Sequence, residues 1–251
     1  MILKSINKFL NPFDLQLIKQ NNTSLFPEDF NDSHKKIYSL VKDYTMTSPE
    51  RIWSFIESIN YVNKHAIEGA IVECGVWKGG SIMAALLRLM ELKDSSREVY
   101  LYDTFEGMSE PTEYDIDPKG NKAATLLNER IKDQQDHVWA YSPLEDVQQR
   151  VFKTNYPKEK IHFIKGKVEE TIPGVIPEKI SILRLDTDWY ESTKHELYHL
   201  FPKLVKGGIL ILDDYGHWSG AKKATDEFIN ENNICILLNR IDQTGRIAIK
   251  Q

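Results

Sequence analysis

The sequence predicts an α/β fold: a doubly wound sheet of seven strands, five of them parallel and closed by a C-terminal antiparallel hairpin. Three observations carry that expectation. From residue 70 onward, short apolar runs alternate with longer amphipathic segments, as parallel crossover units require. Two of those runs end on acids, Asp186 and the pair Asp213-Asp214, at the strand ends where open α/β sheets bind ligands. The tail then changes pattern, with apolar runs on either side of Asp242-Gln-Thr-Gly245, a short turn suited to a hairpin.

Taken in order, residues 1–66 are expected to form a helical extension and 67–251 the principal domain. Ile2, Leu3, Ile6, Phe9 and Leu10 share one helical face, which suits packing on the domain, a membrane surface or a second copy of the chain. Helices are expected near 34–42 and 50–65, the second opened by Thr47-Ser48-Pro49-Glu50, an N-cap followed by a first-turn proline. Strands follow at Ala70–Cys74, Val99–Asp103, Ile161–Ile164, Ile180–Asp186 and Gly208–Asp213, with helices near 80–92, 123–133, 143–153, 190–204 and 220–232. Ile234–Ile241 and Arg246–Ile249 form the hairpin. The aperiodic, acidic stretch Thr104–Gly120 has the length of a lid.

At 251 residues and 41% hydrophobic, the chain can bury a core without staples. Its net charge of −5 and scattered lysines leave no footprint for nucleic acid. Cys74 and Cys235 lie in apolar runs and are expected as small buried hydrophobes, which fits a reducing cytoplasm. The start is too interrupted for a signal peptide, and no apolar run reaches the ~18 residues of a transmembrane segment.

Converging acids repel one another and lose hydration unless a cation or a chemical task compensates, so Asp186, Asp213 and Asp214 suggest a hard-metal site. Helix capping is the alternative for each acid taken singly. Glu73-Cys-Gly75-Val-Trp-Lys-Gly79-Gly80-Ser81 follows the first strand and opens a helix, so backbone N–H groups face a ligand there. A dinucleotide fingerprint needs glycine where Trp77 stands, and a P-loop needs lysine where Ser81 stands. A ligand with a ribose but no phosphate remains, because Asp103 closes the second strand about 20 residues beyond the glycines, where an acid accepts ribose hydroxyls. S-adenosylmethionine has that description, and its ammonium could meet Glu73 or Asp186.

These residues resemble the macrocin (TylF-type) sugar O-methyltransferase family. The matching stretches are Tyr44-Thr-Met-Thr-Ser-Pro-Glu-Arg51, Ile71 to Ser81, Tyr102-Asp-Thr-Phe-Glu-Gly-Met108, Leu183 to Thr193 and Asp213-Asp-Tyr-Gly-His-Trp218. The resemblance implies a class I methyltransferase sheet, S-adenosylmethionine as donor, Mg²⁺ on Asp186, Asp213 and Asp214, and a sugar or glycosylated small molecule as acceptor. It also implies donor contacts at Glu73, Gly75 and Asp103, with Thr47 and Ser48 nearby. Within the matching stretches, Gly79, Gly80, Ser81, Thr104 and Phe105 are expected around the donor, and Gly166, Lys167 and Val168 beside the adenine.

An aliphatic hydroxyl is about as acidic as water, whose pKa is ~15.7, so methyl transfer to it needs a cation or a base. Mg²⁺ accepts six oxygens and commonly takes one or two carboxylates, so three acids leave Mn²⁺ or Ca²⁺ open. Asp186, Asp188 and His217 are the candidates for the base. Trp189, Tyr190 and Trp218 suit either a sugar platform or the core. His195-Glu196-Leu197-Tyr198-His199 also reads as the zinc-peptidase pattern H-E-x-x-H, yet helical spacing turns both histidines away from the apolar face, towards water. A catechol-like acceptor and a non-catalytic binding protein are the other readings.

Overall fold

The computed structural model describes residues 26–251, so the apolar face expected at Ile2–Leu10 lies outside the described residues. Among the described residues two helices precede the sheet, α1 (Asp32–Val41) and α2 (Pro49–Lys64). Ser48 caps α2 by accepting from the Arg51 N–H at 3.2 Å, and Pro49 occupies the first turn, where a missing N–H costs nothing. The sheet contains β1 (Ala70–Cys74), β2 (Val99–Asp103), β3 (Ile161–Lys165), β4 (Ile180–Leu185), β5 (Leu204–Leu212), β6 (Asn239–Arg240) and β7 (Arg246–Ile249). Its spatial order is β3-β2-β1-β4-β5-β7-β6, with β1 to β5 parallel and β7 antiparallel to both β5 and β6.

Helices cover both faces, which is why β1 and β4 are buried at every position. With side chains alternating along each strand, Ile71, Leu101, Ile182, Ile209 and Ile211 pack against α1, α2 and α3 (Gly80–Glu91). Val72, Tyr102, Leu183, Leu185, Leu210 and Leu212 pack on the other face against α7 (Tyr190–Leu200) and α8 (Ser219–Glu231). Shorter helices α4 (Ala123–Asn128), α5 (Leu144–Val151) and α6 (Val168–Thr171) complete the crossovers. Because α1 and α2 share a core with β1 and α3, these two helices are packed into it.

Several boundaries differ from expectation. The helix expected to reach residue 204 stops at Leu200, since Pro202 sits in a 3₁₀ turn (Phe201–Lys203) and β5 starts directly after it. Ile234 to Leu238 carry no strand pairing; Ile236 and Leu238 face the core, whereas Leu237 is 75% exposed. Cys235 lies in that stretch and is exposed, which corrects the expectation of a buried thiol; Cys74 is buried. Among the described residues no helix is long and apolar enough to cross a membrane.

Candidate active site

Strand β1 lies between β2 and β4, so the chain winds outward in opposite directions from it and leaves a crevice at the carboxyl ends. The same alternation that sorts the core puts a charged row there. Glu73 is in register with Arg184, and Asp186 and Asp213 continue the same face of β4 and β5. Backbone bonds hold the strand ends together, with Gly75 N–H donating to Tyr102 O and Asp186 N–H to Cys74 O, both at 2.9 Å, and Asp213 N–H to Leu185 O at 3.0 Å.

Gly75 has φ +82°, and a Cβ there would lie 1.9 Å from the Asp186 carbonyl oxygen, so only glycine lets the loop meet β4. Gly80 makes a second close approach, since a Cβ would sit 2.5 Å from Tyr44 O. Residues 44–47 therefore lie over the loop, with the Thr45 hydroxyl 3.2 Å from that of Ser81 and 2.9 Å from that of Thr47. Asp103 organises the loop from below: Oδ2 accepts from Val76 N–H at 2.7 Å and Trp77 N–H at 2.9 Å, and Oδ1 accepts from Phe105 N–H at 2.7 Å. A carboxylate has about four acceptor positions, which leaves one for a ligand hydroxyl.

A cavity of about 380 Å³ opens above this frame, within the range of small-molecule sites. Of the residues singled out from sequence, Thr47, Gly75, Ser81, Asp103, Thr104, Gly166, Lys167, Val168, Asp186, Asp188, Asp213, Asp214 and His217 line it. Ser48, Glu73, Gly79, Gly80 and Phe105 stand behind the wall, Ser48 as a helix cap and Glu73 paired with Arg184. Trp189 and Trp218 also line the cavity, packed edge to face at 4.9 Å, but Tyr190 points away and donates to Glu227 at 2.6 Å. Met46, His137, Val138 and Thr244 are wall residues that local patterning did not single out.

The stretch expected as a lid supplies part of the cavity wall. Asp115, fully buried, accepts from Thr112 N–H at 2.6 Å and from Tyr190 N–H at 2.8 Å, which fastens the 104–122 loop to the start of α7. Trp189 Nε1 donates to Ser109 O at 3.0 Å and adds a second tie.

The acids meet arginines. Arg184, 3% exposed, pairs with Glu73, with Asp186 at 2.7 Å and with Asp213 at 2.8 Å; Arg51 pairs with the other oxygen of Asp213 and, at 2.9 Å, with Asp242. Among the described residues no three acidic, histidine or cysteine side chains converge as a ready-made metal shell. The expected set Asp186, Asp213 and Asp214 is interleaved with guanidinium groups, because carboxylates at this depth need counter-charge. Acidic groups nonetheless outnumber the guanidinium groups. Burial, with like-charged neighbours, holds Asp186 and Asp214 well above the usual carboxylate range, and burial beside Asp186 pushes Asp188 up to about 7. Burial also raises Glu73 to about 7 against the pull of Arg184. Asp213 Oδ1 and Glu73 Oε2 lack aligned hydrogen-bond donors. An all-oxygen donor set with acidic groups in surplus is chemically suited to a hard divalent cation. Burial lowers His217.

The H-E-x-x-H segment lies elsewhere. Glu196 is fully buried and accepts from Thr187 Oγ1 at 3.0 Å, while the rings of His195 and His199 lie 4.4 Å apart, tilted by 49°, and His195 Nε2 donates to Ile172 O at 2.8 Å. The histidines are thus half-buried, contrary to the expectation that they face water, with His195 against Ile172, and Glu196 lies in the interior.

The chain matches the family model for macrocin O-methyltransferase (TylF) over residues 17–249. It is 31% identical, over 80% of its length and 74% of the relative's, to 8-demethyl-8-(2,3-dimethoxy-α-L-rhamnosyl)-tetracenomycin-C 4′-O-methyltransferase of Streptomyces olivaceus. It is 30% identical, over the same shares, to demethyldecarbamoylnovobiocin O-methyltransferase of Streptomyces niveus. Among solved structures it is similar to the O-methyltransferase NovP, with a TM-score of 0.72 and 27% identity over 83% of this chain and 82% of that one. The chain belongs to the macrocin O-methyltransferase family, whose members are S-adenosylmethionine-dependent enzymes.

Proposed function

We propose that this member of the macrocin O-methyltransferase family moves a methyl group from S-adenosylmethionine to a hydroxyl of a sugar carried on a small natural product. In this reading a divalent cation, Mg²⁺ with Mn²⁺ or Ca²⁺ as substitutes, is held by Asp186, Asp213 and Asp214. The observation that supports it is the meeting, in one cavity, of a glycine loop that lacks the dinucleotide and P-loop patterns and a surplus of aspartates. The rhamnosyl group in the name of the tetracenomycin enzyme supports a sugar acceptor.

Methyl transfer from a sulfonium is an in-line displacement, so most of what the protein supplies is alignment. Asp103 has one acceptor position left for a ribose hydroxyl, and Gly166, Lys167 and Val168 border the space where the adenine would lie. Trp189 and Trp218 offer apolar ring surface to the acceptor, with His217 beside them. Bound cation would stabilise the oxygen charge that develops as the hydroxyl is deprotonated. Asp188 takes the proton, with Asp186 as the alternative acceptor.

The test uses labelled S-adenosylmethionine with a panel of free sugars, glycosides and catechols. Label is expected in glycosides, lost with EDTA and restored by Mg²⁺. Label in catechols alone would assign a phenolic acceptor, and transfer that survives EDTA would remove the cation.

A further inference from the structure

Asp213 is 1% exposed and both of its oxygens face guanidinium groups, so the acid best placed to hold a cation already has two cationic partners. The two partners are not equivalent. Arg184 is buried in a central strand and is clamped by three carboxylates, Glu73, Asp186 and Asp213. Arg51 stands in the first turn of α2, on the cavity wall and 17% exposed. It also has a second carboxylate to hold, since Nε donates to Asp242 Oδ2 at 2.9 Å. That acceptor is itself fixed: Ser48 Oγ donates to it at 2.6 Å, and the turn N–H groups of Thr244 and Gly245 bind its other oxygen at 2.9 and 2.7 Å. Gly245 leaves room for the arginine stem, because a Cβ there would lie 2.9 Å from Arg51 Cδ.

We propose that Arg51 is a built-in counter-cation that competes with the divalent ion for Asp213. Ion uptake moves its Nη1 end off Asp213 while Nε stays on Asp242, and loss of the ion returns it. The cluster therefore never carries its full negative charge unneutralised, and the fold does not depend on the ion. Arg51 is in this sense a positioning residue: it sets how tightly the acids take the ion. The inference rests on the divalent-ion reading given above.

Direct Mn²⁺ binding to the full chain, followed by electron paramagnetic resonance, separates the two. The neutral variants Arg51→Gln and Arg51→Met are expected to bind Mn²⁺ tighter than wild type by roughly tenfold or more, because a unit positive charge has left the ion's neighbourhood. Arg51→Lys, which keeps the charge, stays near wild type. Circular dichroism checks that each variant is folded, and tightening is a result that damage to the site would not produce. Neutral variants that bind Mn²⁺ equally or more weakly, with wild type binding it measurably, would overturn the counter-cation role and leave the metal reading intact. No Mn²⁺ binding at millimolar concentration by wild type and every variant would defeat both.

Discussion

Asp103 shows how one side chain serves both fold and ligand. It satisfies three backbone N–H groups, two of the glycine loop and that of Phe105 just beyond β2, so Asp103→Asn, which exchanges an acceptor for a donor, leaves at least one of them facing an N–H group. A cost of about 1–3 kcal/mol in stability is expected, seen as a lower urea midpoint, together with weaker binding of S-adenosylhomocysteine. Asp188 makes a different prediction. Its carboxyl is raised to about 7 by burial and by Asp186. A raised acid accepts a proton from substrate only above its own pKa, which a cation on Asp186 would lower, so the rate should climb along an acid limb at or below about 7 and level off on the alkaline side. Asp188→Asn should remove that limb from the kcat profile; a limb that persists would move the base elsewhere. For the ion, Asp214→Asn is a cleaner probe than Asp213→Asn, because Asp213 also neutralises two arginines. Turnover should fall by at least about 10²-fold with donor binding kept, and retained turnover would exclude Asp214 as a ligand.

At the scale of elements, the side of the cavity proposed for the acceptor depends on a loop tied down by the buried Asp115 and by Trp189. Asp115 receives the first N–H of α7, and Gly220 in the first turn of α8 leaves space for it: a Cβ there would lie 1.8 Å from Asp115 Oδ1. Gly220→Ala must displace that carboxyl. The expected result is a loss of about 1–3 kcal/mol and a raised KM for acceptor, while affinity for S-adenosylhomocysteine, bound on the β1–β2 side, is unchanged. Equal losses on both ligands would show that the loop supports the whole cavity. This anchoring was invisible in the sequence, where Thr104–Gly120 lacked period and read as a lid. Asp115 meets Tyr190 and Gly220 across long sequence separations, and no local pattern reports such a contact.

Across the whole molecule, legibility followed the range of the physics. Strand order ends, helix caps and the two-sided core were readable because they depend on spacing within about ten residues, and Ala70–Cys74, Val99–Asp103 and Arg246–Ile249 fell as the pattern required. The acids at strand ends were readable for the same reason. Arg51 and Arg184 were not, since their partners Asp213 and Glu73 are brought close only by the sheet and by the packing of α2 upon it. The stretch at Cys235 misled because apolar content was read as burial, although every second side chain there faces out. Methyl transfer by this molecule requires that the crevice beyond the carboxyl ends of β1 and β2 bind the donor. Calorimetric titration of the full chain with S-adenosylhomocysteine, alongside Gly75→Ala, tests this most directly. Saturable one-to-one binding by wild type, abolished when a Cβ at residue 75 blocks the approach of the loop to Asp186, is the predicted result. Absence of binding at millimolar ligand, or equal binding by both proteins, would contradict it.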